Sequence, residues 1–235
     1  MLRLTILLLA FLTAPAFAVP PDPFAHWVPH GWKLIAHKWG DLNRDGVDDV
    51  VLVTEKIDSA NFKKNPEPLG PEILNLNPRR LVILLKSSDG LQEILSRDDL
   101  LPSPNEENMG CLADPIENGG GSIARGNLVI ELQAWLSCGS YGVTNEKFIF
   151  RFDGARFRFV GYDHSEFSRS TGDQSEFSIN YLTGKKKITT GLNAFEDSKP
   201  KIVWKNLRTK RAFFLDEMFL YCYADDPAQI DSWCQ

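Results

Sequence analysis

Short apolar runs separated by glycine-bearing turns dominate this chain, and that punctuation leaves little room for any architecture except antiparallel β-sheet. The clearest case is residues 148–162, where two aromatic-rich segments flank Asp153-Gly154. Glycine there accepts the positive φ of a tight hairpin turn, while aromatic and β-branched residues suit a pleated, half-buried surface. Asp89-Gly90 and Thr183-Gly184 separate strand-like segments in the same way. Alternating or continuous apolar residues predict strands at 32–39, 50–54, 81–86, 128–135, 148–152, 157–162 and 178–182. Residues 56–80 and 98–126, rich in Pro, Asn and Gly, read as loops, and 210–223 fits strand or helix equally well. A strand-plus-hairpin layout recurs weakly over 32–96, 127–162 and 177–190. The expected fold is mainly β: antiparallel sheets with blade-like strand-hairpin units, a partial or degenerate propeller rather than a closed ring.

The N-terminus constrains location. Arg3, the apolar run 4–12 and Ala16-Phe17-Ala18 make up the three parts of a secretory signal peptide over residues 1–18. Pro15 interrupts the run before it reaches the roughly 20 apolar residues of a membrane span, and no later segment approaches that length. Residues 19–31, with four prolines, read as an extended leader, and 32–235 as one mainly-β domain. That domain divides into a loop-bearing unit at 32–97, hairpin units at 127–190 and a C-terminal segment at 191–235. The expected location is periplasmic or secreted, where disulfides form readily. Short-range closure favours Cys111 with Cys138 and Cys222 with Cys234. The formal charge of -5 argues against nucleic acid as a partner, because a nucleic-acid binder needs a basic face.

One stretch carries recognisable ligand chemistry. Residues 41–49 place oxygen side chains at loop positions 1, 3, 5 and 9 and glycine at position 6, the spacing of a calcium loop. Asp41, Asn43, Asp45 and Asp49 would offer side-chain oxygens and Val47 its carbonyl, with Gly46 permitting the bend. Position 12, where an EF-hand has a bidentate Glu, is Leu52 in a strand-like run, so the site is strand-loop-strand. Read without a metal, the same residues are a solvated Asx-rich turn.

The run Trp39-Gly-Asp-Leu-Asn-Arg-Asp-Gly-Val-Asp-Asp-Val-Val-Leu-Val53 resembles an FG-GAP or VCBS-type repeat, with the pattern D-x-N-x-D-G-x-x-D complete. The resemblance covers about residues 32–95. It implies a calcium loop joining two strands of a propeller blade. Residues 148–187 also look like exported bacterial proteins of unassigned function.

Catalytic patterns are missing. Cys138-Gly139-Ser140-Tyr141-Gly142 has Cys at the first glycine of a nucleophile elbow. Asp163-His164-Ser165 reads as a surface turn, because triad members normally meet from distant segments. His26 and His30 lack the Glu of a zinc-protease helix and read as leader residues. The lysines 185–187 read as cover for an exposed strand edge. The expected function is that of an exported, calcium-stabilised binding or structural module without catalysis, a monomer whose partner is a protein or glycan of the cell envelope. Two alternatives remain. One is an envelope glycan hydrolase using loop carboxylates such as Glu106-Glu107, Asp98-Asp99 or Asp225-Asp226, and the other is a periplasmic inhibitor or immunity protein.

Overall fold

A computed structural model describes residues 22–117, 119–207 and 212–220, and among them there is a 3-10 turn at Ser59–Asn61 but no α-helix. Strands β1 (Trp32–Gly40), β2 (Asp49–Lys56), β5 (Arg79–Ser87) and β6 (Gly90–Leu101) form an antiparallel sheet in the order β1-β2-β5-β6. A small hairpin, β3 (Phe62–Lys64) with β4 (Ile73–Asn75), is inserted between β2 and β5. The rest of the chain builds a seven-stranded antiparallel meander from β7 (Gly121–Ala124), β8 (Asn127–Trp135), β9 (Gly142–Phe152), β10 (Phe157–Ser168), β11 (Asp173–Asn180), β12 (Lys185–Asn193) and β13 (Lys201–Asn206). The first blade-like unit is thus a four-stranded sheet, whereas the units at 127–162 and 177–190 share one continuous sheet.

The two sheets meet through one core. Val51, Val53, Leu81 and Ile83 of the smaller sheet pack with Leu128, Ile130, Phe148, Phe150 and Phe159 of the larger. At the seam the backbone of β1 approaches β7 so closely that a Cβ on Gly40 would lie 2.8 Å from Ile123 Cγ2. β2 is apolar at every position from Val50 to Val53 because both its faces are buried. Val50 and Leu52, with Val82 and Leu84, form a second core on the outer face of the small sheet, and Phe24 closes it at 3% exposure. The segment expected to be an extended leader is therefore a series of turns over 23–27 that seals a sheet face.

Several further expectations are revised by the strand register. Residues 56–80 and 98–126 are not loops throughout, since they hold β3, β4, the end of β6 and β7. Lysines 185–187 lie on β12, which is paired on both sides, so they do not guard an edge. Asp163, His164 and Ser165 are interior to β10 and not in a turn. Residues 212–220 form neither a strand nor an α-helix, holding an isolated bridge between Phe214 and Arg158 and a turn at 215–217. The remainder of 210–223, except Ala212 and the residues after it to Leu220, lies outside the described residues.

Cys111 and Cys138 form a disulfide with Cα atoms 5.7 Å apart. Closing a loop of sequence separation 27 removes denatured-state entropy worth about 3.5 kcal/mol in the chain-entropy model. The bond ties residues 111–117 beside β8, where Ala113 N donates to Trp135 O and Gln133 N to Pro115 O, both at 2.9 Å. The other expected pair, Cys222 and Cys234, lies outside the described residues.

Where the disulfide-tied segment meets the smaller sheet, Arg79 is buried at 3% exposure. Its Nε donates to Glu55 Oε2 at 3.1 Å, and its two Nη groups grip both carboxylate oxygens of Asp114. Glu55 also receives Lys33 Nζ at 2.9 Å and Asn75 Nδ2 at 3.1 Å. Burial alone pushes the Glu55 carboxyl up, but the hydrogen bonds from Lys33 and Asn75 and the Arg79 charge together hold it below the usual range.

Candidate functional site

The β1–β2 loop folds around its own acidic side chains. Asp41 Oδ1 accepts from the backbone N–H of Arg44 and Asp45, and Oδ2 accepts from Gly46 N at 3.0 Å. Asn43 Oδ1 takes Asp45 N at 3.0 Å, and Asp45 Oδ1 takes Val47 N at 2.8 Å. Gly46, at φ +85°, supplies the left-handed bend. Val47 is exposed, so its side chain leaves the loop and only its backbone stays with the turn.

Asp49 differs from the other loop acids. It is fully buried, accepting Leu42 N at 2.8 Å and Asn43 N at 3.3 Å on Oδ2 and Lys86 N at 2.9 Å on Oδ1. Among the described residues no cationic side chain pairs with it. A buried carboxylate held only by neutral donors is costly unless its charge is offset.

Whether the loop suits a hard cation turns on its donors. All five expected ligands bear oxygen, the donor calcium requires. A carboxylate oxygen has about two lone pairs, so Asp45, Asp41 and Asn43 retain accepting capacity after their N–H bonds are counted. Among the described residues, no three His, Cys, Asp or Glu side chains are gathered closely enough to hold an ion. Asp41, Asn43, Asp45, Val47 and Asp49 thus fit calcium in donor chemistry, while their side chains are turned to the loop backbone.

A second region, which sequence reasoning missed, lies on the seven-stranded sheet. The register aligns Glu131, Lys147, Asp163, Ser178 and Lys187 in one row across β8–β12. The neighbouring row is Gln133, Asn145, Ser165, Glu176 and Thr189. Because side chains alternate along a strand, both rows share the face opposite Leu132, Phe148 and Tyr162, which point to the core. All ten residues border a cavity of about 450 Å³, as do Leu132, Glu146, His164 and Phe177 of the intervening row, and the disulfide-tied residues 114–117 wall one side.

Part of this polar face is internally satisfied. Lys147 Nζ pairs with Glu131 Oε1 at 2.7 Å, and Gln133 Nε2 donates to Asn145 Oδ1 at 2.8 Å. The β10–β12 side is not. Asp163, Glu176 and Lys187 form no ion pair among the described residues, and Thr189, 4% exposed, has an Oγ1 without a hydrogen-bond partner.

On the opposite face of β10, His164 stacks on Phe177 with ring centroids 4.8 Å apart and an interplanar angle of 17°. Tyr162 Oη donates to Glu146 Oε1 at 2.6 Å, and His164 Nε2 lies 3.4 Å from Glu166 Oε1. The Glu146 carboxylate, 3.8 Å from Nδ1, raises the His164 pKa above its ordinary value; burial opposes this and Glu166 adds to it. A raised value means that protonated His164 stabilises the fold. That contribution is complete below the unfolded-state pKa and is lost as pH rises through the folded-state value. His164→Gln should therefore lower the melting midpoint more at pH 5.5 than at pH 8.5. Equal losses at the two pH values would show that the imidazole charge does not contribute.

His164 also lines the cavity, and its polar neighbours are Tyr162, Glu146 and Glu166. Comparison of the chain with family models, with curated proteins and with solved structures finds no match.

Proposed function

We propose that this protein is an exported binding module without catalytic chemistry of its own, held in shape by a calcium ion in the β1–β2 loop. The observation that supports the reading is Asp49, a fully buried carboxylate with no cationic side-chain partner among the described residues. Asp41, Asn43, Asp45, Val47 and Asp49 would hold the ion. A dication would supply the positive charge that three acids in one turn lack, and so fix β1 against β2. The resemblance of residues 39–53 to an FG-GAP or VCBS-type loop agrees. The Cys111–Cys138 disulfide agrees with a periplasmic or secreted location. The partner is a protein or glycan of the cell envelope. Two of the acids named for a glycan hydrolase give that alternative little support: Asp98 and Asp99 lie on β6 and pair with Arg80 and Arg97.

Thermal melting with calcium or with excess chelator tests the loop. A ligand that binds only the native state at a hundred times its Kd stabilises by about 2.7 kcal/mol, which for a domain of this size corresponds to roughly 5–10 °C. Without a bidentate Glu the expected affinity is micromolar to millimolar. Asp45→Ala should abolish the calcium-dependent part of the shift, while Asp48→Ala, at an exposed position outside the donor set, should retain it. A wild-type midpoint that ignores chelator would leave the loop a hydrogen-bonded turn and end the calcium reading.

A further inference from the structure

The cavity on the seven-stranded sheet carries an unbalanced set of groups. With Glu131 paired to Lys147, and His164 set against Glu146 and Glu166, the charged groups without an ion pair on its β10–β12 side are two carboxylates, Asp163 and Glu176, and one ammonium, Lys187. Ser178 lies between Asp163 and Lys187 in the same cross-strand row, and Thr189 faces Glu176 in the next. Asp163 and Lys187 are two strand spacings apart, about 10 Å along the hydrogen-bonding direction. That separation keeps the two charges from neutralising each other and leaves room for a ligand between them. Thr189 is the second sign of a missing partner, since a buried hydroxyl without a hydrogen bond costs about 1–3 kcal/mol. A volume near 450 Å³ falls within the range of small-molecule sites.

The geometry points to this cavity as a binding site for a basic amino acid or a short peptide ending in one. The ligand's carboxylate meets Lys187 Nζ with the hydroxyls of Ser178 and Thr189, and its two cationic groups meet Asp163 and Glu176. Two ligand cations against two carboxylates, and one ligand carboxylate against one ammonium, leave no group of this set unpaired. A neutral sugar would leave all three charges uncompensated. The site is separate from the β1–β2 loop and does not depend on calcium there.

Titration calorimetry of the purified full chain with L-arginine, L-argininamide and L-norvaline tests the proposal. L-Arginine should bind saturably. Argininamide, which lacks the carboxylate, and norvaline, which lacks the side-chain cation, should each bind at least tenfold more weakly. Asp163→Asn and Lys187→Met should each weaken L-arginine at least tenfold, and Lys187→Met should no longer distinguish arginine from argininamide. Melting curves identify a variant that has failed to fold, in which case the three-ligand series on the wild type decides. No saturable binding of L-arginine, equal affinity for all three compounds, or unchanged affinity in both folded variants would overturn the assignment. None of these results bears on the calcium loop, whose own test is the chelator-dependent melting midpoint.

Discussion

Replacing Arg79 by methionine is expected to destabilise the protein by about 3–5 kcal/mol, the usual cost of removing one partner from a buried ion pair. Methionine occupies a similar length but leaves behind the charges that Arg79 gathers. Glu55, its side chain 5% exposed, keeps only Lys33 and Asn75, and Asp114 loses its two-pronged grip. The substitution also cuts a link between sheet and disulfide-tied segment, because Arg79 belongs to β5 and Asp114 to the stretch beside β8. Arg80→Met is the neighbouring control. Arg80 meets Asp98 at 3.5 Å on an exposed flank and lies over Trp32, so its loss should cost about 1 kcal/mol or less. Urea denaturation of the two variants makes the comparison, and equal midpoints would remove the network from the account of stability. The acid limb gives a second check. A carboxylate whose folded-state pKa is depressed contributes stability above its unfolded value and loses it as pH falls through the folded one. Without Arg79 the depression of Glu55 shrinks, so the window over which Glu55 contributes narrows from its acid side.

A loss of similar size is expected from Phe159→Ala, about 3–5 kcal/mol. Phe159 is 1% exposed, with its ring centroid 4.7 Å from that of Tyr181, 5.2 Å from Phe150 and 6.1 Å from Phe148. Truncation removes both the transfer energy of the ring and the contacts of its neighbours, which the paired strands around it cannot close up to restore. The residue follows a hairpin turn whose Asp153 accepts the N–H groups of Ala155 and Arg156, bonds that also lower its own pKa. β9 and β10 should therefore remain paired around a cavity. Ile57→Ala, at a position 59% exposed, should stay within about 0.5 kcal/mol of the wild type. The same denaturation series settles the matter, and a loss below 1 kcal/mol for Phe159→Ala would mean that the aromatic cluster is not the centre of the core.

Apolar spacing located the strands that line this core and was silent where strands leave it. Residues 148–152 and 157–162 were legible because Phe148 and Phe150, and Phe157 and Phe159, alternate toward the interior, with a bulge between Phe159 and Gly161 returning Tyr162 to the core. The pairing nevertheless continues to Gly142 in one direction and Ser168 in the other. In those extensions Asn145, Lys147, Asp163 and Ser165 give no apolar period, and the strands are held by backbone pairing and polar cross-strand contacts such as Lys147 with Glu131. Those residues floor the cavity, so the signal that reveals a strand is absent where the candidate site begins. Arg79 and Asp114 were hidden for another reason. Their meeting depends on how residues 111–117 dock beside β8, a tertiary arrangement with no local trace. That residues 41–49 form a turn between two strands was legible, because its Asp, Asn and Gly spacing is set within a single turn. What the sequence could not show is that Asp49 enters the sheet as the first residue of β2 and reaches the backbone of Lys86.

In the seven-stranded sheet every neighbouring pair is consecutive along the chain. Each strand therefore finds its partner across a short connection, and the loop-closure entropy that slows many β proteins stays small within this half of the molecule. Assembly can advance in the order in which the chain is delivered, each new strand using the previous one as its template. β7, at the start of the series, is also the strand that abuts β1 and so joins the meander to the earlier sheet. A chain built in this way needs few distant segments to wait for one another, and its newest strand remains an open edge until the next arrives.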